Sequence, residues 1–157
     1  MKIITLLLAL SLFCCKQVEI NESKNIEKQE IAQISAEKTA LAFINNYVNY
    51  WNENDQEVSL TDWISTQKNA TENYKIQVVK LIADADRADL EFDLIEDPIF
   101  KAQDYPEKGF ELEKSEQNGT LITVKGKGWE DFKLKISMVR ENGNWMVADV
   151  QTAIKND

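Results

Sequence analysis

Apolar positions recur at helical spacing in the first half of the chain and alternate with polar ones in the second. Over residues 36–53, Ala40, Leu41, Ile44, Tyr47, Val48 and Trp51 fall three or four apart, the period of an amphipathic helix. Phe43 and Tyr50 lie off that stripe and predict a second packed face. Ser35 is placed to cap the start, and Glu37 suits the positive end of the helix dipole. Asn52, Asn54 and Asp55 end it. A short helix over 58–66 carries Leu60, Trp63 and Ile64. A third, over 71–83, carries Tyr74, Val78, Leu81 and Ile82, with Ile76 and Val79 near a second face and Thr71 or Asn69 as its cap.

After residue 110 the period becomes two. Phe110 and Leu112 alternate with charged residues, and Leu121, Thr123 and Lys125 continue beyond Asn118-Gly119. Asn-Gly between alternating segments is a hairpin signal. Phe132, Leu134, Ile136 and Met138 then alternate with Lys133, Lys135, Ser137 and Val139. Asn142-Gly143 makes the next turn. Trp145, Val147 and Asp149 predict one face of a last strand, with Met146, Ala148 and Val150 on the other. Gly126 and Gly128 permit a bulge before Trp129. Helices followed by an antiparallel meander predict an α+β fold, with amino-terminal helices on a curved, cone-like four-stranded sheet. We expect one domain over 35–157.

Before residue 35 the pattern differs. Lys2 precedes an apolar run ending at Phe13, then Cys14 and Cys15. The run is shorter than the ~20 residues that span a bilayer, and it has the charged start and short apolar core of a secretory signal. It resembles a bacterial lipoprotein signal, whose cysteine carries lipid after cleavage. Leu12 lies three before Cys15, which makes Cys15 the expected anchor and Cys14 the alternative. Residues 1–14 would be removed, and 15–34, polar and poor in aromatics, would form a flexible tether. Lys16 after the anchor lacks the acidic inner-membrane retention signal known in some bacteria, so the outer membrane is expected, on its periplasmic or surface face.

Composition narrows the chemistry. The 157 residues hold 27 Asp and Glu against 18 Lys and Arg. Loss of Lys2 with the signal would leave 143 residues at a formal −10. Such acidity disfavours nucleic acid. There is no histidine, and both cysteines lie at the signal boundary. That excludes Ser-His-Asp and Cys-His catalysis and the usual nitrogen- and sulfur-ligated zinc sites. Catalysis would have to rest on carboxylates, Tyr, Lys, Arg or backbone groups.

The helix–meander order ending in Asn-Gly-Asn-Trp-Met-Val resembles the nuclear transport factor 2-like superfamily. Two stretches are similar to a lipoprotein family of unknown function within it: Asp97-Pro-Ile-Phe-Lys-Ala-Gln-Asp-Tyr-Pro106, and Val124-Lys-Gly-Lys-Gly-Trp129 continuing to Phe132. The resemblance spans residues 38–154. It implies the fold and an envelope location, and it implies no established activity or catalytic residue.

Two segments invite a site. Asp84, Asp86, Asp89, Glu91 and Asp93 form the densest carboxylate run, yet Asp89 is one place late for an EF-hand and the turn glycine is missing. We expect no metal and no cofactor. The connection 93–106 is long and irregular, as functional loops often are. Asp97, Gln103, Asp104 and Tyr105 would line the mouth of the cone. An alternative is local, with Gln103 and Asp104 bonding the loop backbone while Phe100 and Tyr105 cover the core. Among the tryptophans, Trp51 and Trp145 are expected in the core, and Trp63 and Trp129 near a pocket or interface. An isomerase-like enzyme would draw its base from Asp97 or Asp149 and its hydrogen-bond donors from Tyr47, Tyr74 or Tyr105, in the way ketosteroid isomerase pairs such groups.

The sequence thus predicts a lipid-anchored envelope protein without catalysis. It would attach to the membrane through its anchor and bind a small apolar ligand or a partner protein. One alternative is an immunity lipoprotein that neutralises a secreted toxin, its charge steering association. The other is the histidine-free isomerase.

Overall fold

The computed structural model describes residues 36–53, 57–87 and 96–153, all inside the compact unit Ala32–Asp157. The signal segment, Cys14, Cys15, the tether, Ser35 and the acidic positions Asp89 to Asp93 lie outside the described residues. The fold is α+β. Helix α1 covers 36–53, α2 covers Leu60–Thr66 and α3 covers Glu72–Arg87. The strands are β1 (Phe110–Glu116), β2 (Leu121–Gly126), β3 (Trp129–Glu141) and β4 (Asn144–Thr152). They form an antiparallel sheet in the order β1-β2-β3-β4. No described helix is long and apolar enough to cross a membrane.

Helix α1 supplies the centre of the core. Ala36, Ala40, Phe43, Ile44, Tyr47 and Val48 are buried, one stripe held over three turns. Phe43 therefore belongs to the main stripe and not to a second face. Trp51, expected in the core, is 41% exposed. It continues the stripe by angle, but its neighbours there are the rings of Tyr47, Tyr50 and Tyr105, and part of it stays in solvent. Ser59 caps α2 by accepting from the Asp62 amide at 3.1 Å. Thr71 caps α3 by accepting from the Tyr74 amide at 3.2 Å. Residues 69–71 first run beside β4, with Thr71 N donating to Val147 O and Val147 N to Asn69 O. Helix α3 runs four residues beyond its expected end. It buries Tyr74 and Val78, and Leu81, expected on the core stripe, is exposed.

Strand β3 follows the sequence pattern: Leu134, Ile136 and Met138 are buried and Phe132 packs against them. Asn142 and Gly143 adopt positive φ in the β3–β4 turn, as do Gln117, Asn118 and Gly119 between β1 and β2. Two strands depart from strict alternation. The register of β1 with β2 shifts between Leu112 and Lys114, and the core face of β2 is Ile122 and Val124, not Leu121, Thr123 and Lys125. In β4 the register shifts opposite Ser137 and Met138. The extra residue is Ala148, so Trp145 and Val147 share the core face with Val150 instead of Asp149. The glycine segment before Trp129 carries the expected irregularity, with Gly126 paired to Trp129 directly after Lys125 pairs with Lys133.

Candidate functional site at the aromatic end of helix α1

The connection 96–109 lies against the last turns of α1, and three helix side chains hold it there. Asn45 takes both backbone groups of Phe110: it accepts from N at 2.7 Å and donates to O at 3.2 Å. Asn52 donates to Glu107 O at 2.9 Å and accepts from the Tyr105 hydroxyl at 3.0 Å. Tyr47 donates to Asp97 Oδ2 at 2.5 Å. The loop approaches so closely that a Cβ on Gly109 would sit 2.4 Å from Asn45 Oδ1, and one on Gly126 would sit 2.5 Å from the Pro106 ring. Glycine is the residue these two contacts admit, and the φ of +83° at Gly109 favours it again.

Asp97 organises the loop. Its Oδ1 accepts from the amides of Ile99 at 2.8 Å and Phe100 at 2.6 Å. Its own N–H donates to Ala102 O, and Lys101 N donates back to its carbonyl. This local closure turns Ile99 and Phe100 inward, where both are buried. Burial raises the Asp97 carboxyl above the ordinary carboxylate range. The Tyr47 hydroxyl, the two loop amides and the Trp51 indole oppose that rise by favouring the charged form. Burial, then the negative charge of Asp97, pushes the Tyr47 phenol far above its usual value, so it remains a donor. Tyr50 and Tyr105 are raised by partial burial in the same surroundings.

Around this carboxylate the rings pack on one another. Tyr47 touches Trp63 at 4.8 Å and Phe100 at 4.6 Å between centroids, and Tyr50 stacks on Tyr47 at 5.9 Å. Tyr105 stacks on Phe100 at 5.0 Å, and Trp51 leans on Tyr105 at 6.4 Å. The train continues inward from Phe100 to Phe110 and Phe132, and ends at Trp129, which is 44% exposed. Thus an exposed tryptophan stands at each end of a connected run of aromatic side chains.

Of the residues singled out from sequence, the structure brings Asp97 and Tyr105 together with Tyr47 and Trp51. Trp129 belongs to the other end of the train. Gln103 and Asp104 are exposed, and the loop-ordering role falls to Asp97 instead of to them. Asp149 bonds the Val150 amide at 2.9 Å and Gln151 at 2.6 Å on its own strand. The Tyr74 hydroxyl is buried with no hydrogen-bond partner among the described residues. Burial raises it, helped by the charges of Asp149 and Asp97. Among the described residues, no three carboxylates converge on a metal position. Asn45 escaped the sequence reading, and Asn52, read there as ending the helix, lies inside it. Their seven-residue spacing, two helical turns on one side of α1, was the available signal.

No family model matches the chain, and no curated relative does. Among solved structures, the chain is similar to a protein of unknown function from Bacteroides thetaiotaomicron VPI-5482. The identity is 17% and the TM-score 0.51, over 85% of this chain and 98% of that one. At that identity the likeness concerns the fold alone.

Proposed function

We propose that this protein is a lipid-anchored, outer-membrane binding module that presents the Trp51 end of α1 to a partner protein. The single observation that carries the reading is Trp51 itself. It is 41% exposed while its inner edge is fixed by Tyr47, Tyr50 and Tyr105. A rigid, partly exposed tryptophan loses little conformational entropy on binding and is a common interface anchor. The loop beside it is pinned by Asn45, Tyr47 and Asn52, so the surface is preorganised.

Binding is favoured over acid–base catalysis because the Asp97 oxygens are committed to Tyr47, Ile99 and Phe100. The space between α1 and the sheet is filled by Phe43, Tyr47, Phe100 and Phe110, each at most 1% exposed. The anchor half of the reading is supported by the Leu12-to-Cys15 spacing.

Each half has its own test. Cys15→Ser should move the protein from the membrane fraction to the soluble fraction, and retention of that variant at the membrane overturns the anchor. A photo-crosslinking amino acid at position 51, in the protein expressed in its own host, should give an adduct of one discrete mass. The same amino acid at exposed Lys38 should give none. Absence of an adduct at 51, or equal adducts at both positions, overturns the partner surface.

A further inference from the structure

Segment 105–109 connects Trp51 to a second exposed tryptophan. It begins beside Trp51, where Tyr105 meets the indole at 6.4 Å and its hydroxyl donates to Asn52 at 3.0 Å. It ends against the β2–β3 turn. The Pro106 ring lies 2.5 Å from where a Cβ on Gly126 would stand, and the end of the Lys108 side chain lies 3.7 Å from where one on Gly128 would stand. Lys127 N donates to Gly109 O at 2.9 Å and fastens the turn to the segment. Trp129 follows directly, 44% exposed, with its ring against Phe132 at 5.0 Å. Two exposed tryptophans far apart in sequence thus flank one short bridge of chain.

We propose that Trp129 is a second anchor of the partner surface, and that one protein covers Trp51, the 105–109 bridge and Trp129 together. The inference rests on the reading of Trp51 as an anchor and adds a residue and a boundary to it. Size fits a protein. Five ring-to-ring steps of 5.0 to 6.4 Å join the two indoles, so they stand at most about 28 Å apart, within the roughly 30 Å breadth of a standard interface of about 800 Å² per partner. Composition fits as well. Glu107 and Lys108 are exposed on the bridge, so the occupant must take apolar anchors at two places and polar side chains between them. A lipid surface would have to bury Glu130 and Asp131, exposed directly after Trp129, at the cost of desolvating carboxylates. The chain that carries the expected anchor enters α1 at residue 36, about 23 Å along the helix from Trp51 at 1.5 Å per residue. The two tryptophans therefore lie towards the end of α1 opposite the tethered one. Both are preorganised, since the close contacts at Gly109 and Gly126 fix the bridge and binding costs little ordering.

The test places a photo-crosslinking amino acid at exposed Lys127, which leaves both indoles in place, and separately at position 51. The full-length protein is expressed in its own host, and each captured protein is identified by peptide mass mapping. Both positions should capture the same protein. Trp129→Ala should lower the adduct formed at 51 by about tenfold or more, while Lys80→Ala, exposed on α3, should leave it unchanged. Unaltered far-ultraviolet circular dichroism and thermal midpoint establish that the variants are folded, and the capture at 127 needs no change at Trp129. Capture at 51 with none at 127, or with a different protein there, overturns the second anchor and leaves the Trp51 reading standing. An adduct at 51 that Trp129→Ala does not diminish has the same meaning. Capture at 127 alone, or at neither position, overturns the Trp51 reading and this inference with it. Capture of a second copy of this chain at both positions overturns the partner and makes the surface a self-association face.

Discussion

Helices α1 and α3 both read as amphipathic, and the fold treats them differently. Six side chains of α1, from Ala36 to Val48, are buried at 2% exposure or less. Helix α3 is nearly as long, yet it buries only Tyr74 and Val78 and leaves Ile76 and Leu81 in solvent. The sheet has one apolar face, and the buried side chains of α1 share its core. Helix α3 is tied in at its start by the Thr71–Val147 bond and by the contact of the Tyr74 ring with Phe43 at 6.0 Å. Of its remaining apolar positions, Val79 and Ile82 pack partly against the core, while Ile76 and Leu81 stay exposed. An apolar side chain on a helix thus has two physical fates, and only the neighbouring layer decides between them.

The comparison is broken or upheld most sharply by truncating one residue on each helix. Phe43→Ala removes a fully buried ring that packs on Trp63 at 5.7 Å and on Tyr74, and it should cost about 3–5 kcal/mol. Ile76→Ala should change stability by no more than about 0.5 kcal/mol, because the side chain is already in water. Urea unfolding with an unchanged m-value measures both. A large loss for Ile76→Ala would mean that something covers this side chain in the isolated protein, and the contrast between the helices would then fail.

A smaller effect is expected where α1 meets the loop. Asn45→Ala leaves the Phe110 N–H and C=O without their side-chain partner at a buried position. The cost should be about 1–3 kcal/mol. Hydrogen exchange should quicken at the amides of Gly109, Phe110 and Lys127, which share that junction, while β3 and β4 amides keep their protection. Uniform loss of protection across the sheet would show that Asn45 supports the whole core and not the loop alone.

The sheet was readable because its signals are local. Alternation in β3 needs only the next two residues, and Asn-Gly turns need only their own positive φ. The strands misread were those with bulges. One extra residue at Ala148 exchanges the faces of Asp149 and Val150, and the shift near Leu112 does the same between β1 and β2. A bulge is set by pairing across strands, which a single strand's pattern does not contain. The loop had a similar limit. Asp97 was a candidate and Tyr47 one of three possible donors, but the two lie fifty positions apart and no spacing singles out that pair. Trp51 carried the right period for burial and still ended in solvent, since periodicity reports a direction and not what stands there.

The subtlest prediction concerns Asp97, where two effects of opposite sign compete. Burial raises its carboxyl above 3.8, and the bonds from Tyr47, Phe100, Ile99 and Trp51 pull it down, with burial prevailing. The native state therefore holds this proton more tightly than the unfolded chain does. Its contribution to stability is full below the unfolded value of about 3.8 and is lost as pH rises through the higher native value. Asp97→Asn keeps the shape and removes the titration. Parent and variant should thus differ in a pH-dependent way: the parent gains stability relative to the variant as pH falls from 7 towards 4. Paired urea melts across that interval measure the difference and cancel the general effect of the acidic surface, which both proteins share. If the parent instead loses ground as pH falls, the Tyr47 hydroxyl and the loop amides outweigh burial. Asp97 would then be an ionised anchor of the loop rather than a carboxyl that burial strains, and the junction between α1 and the loop would be held by charge as much as by packing.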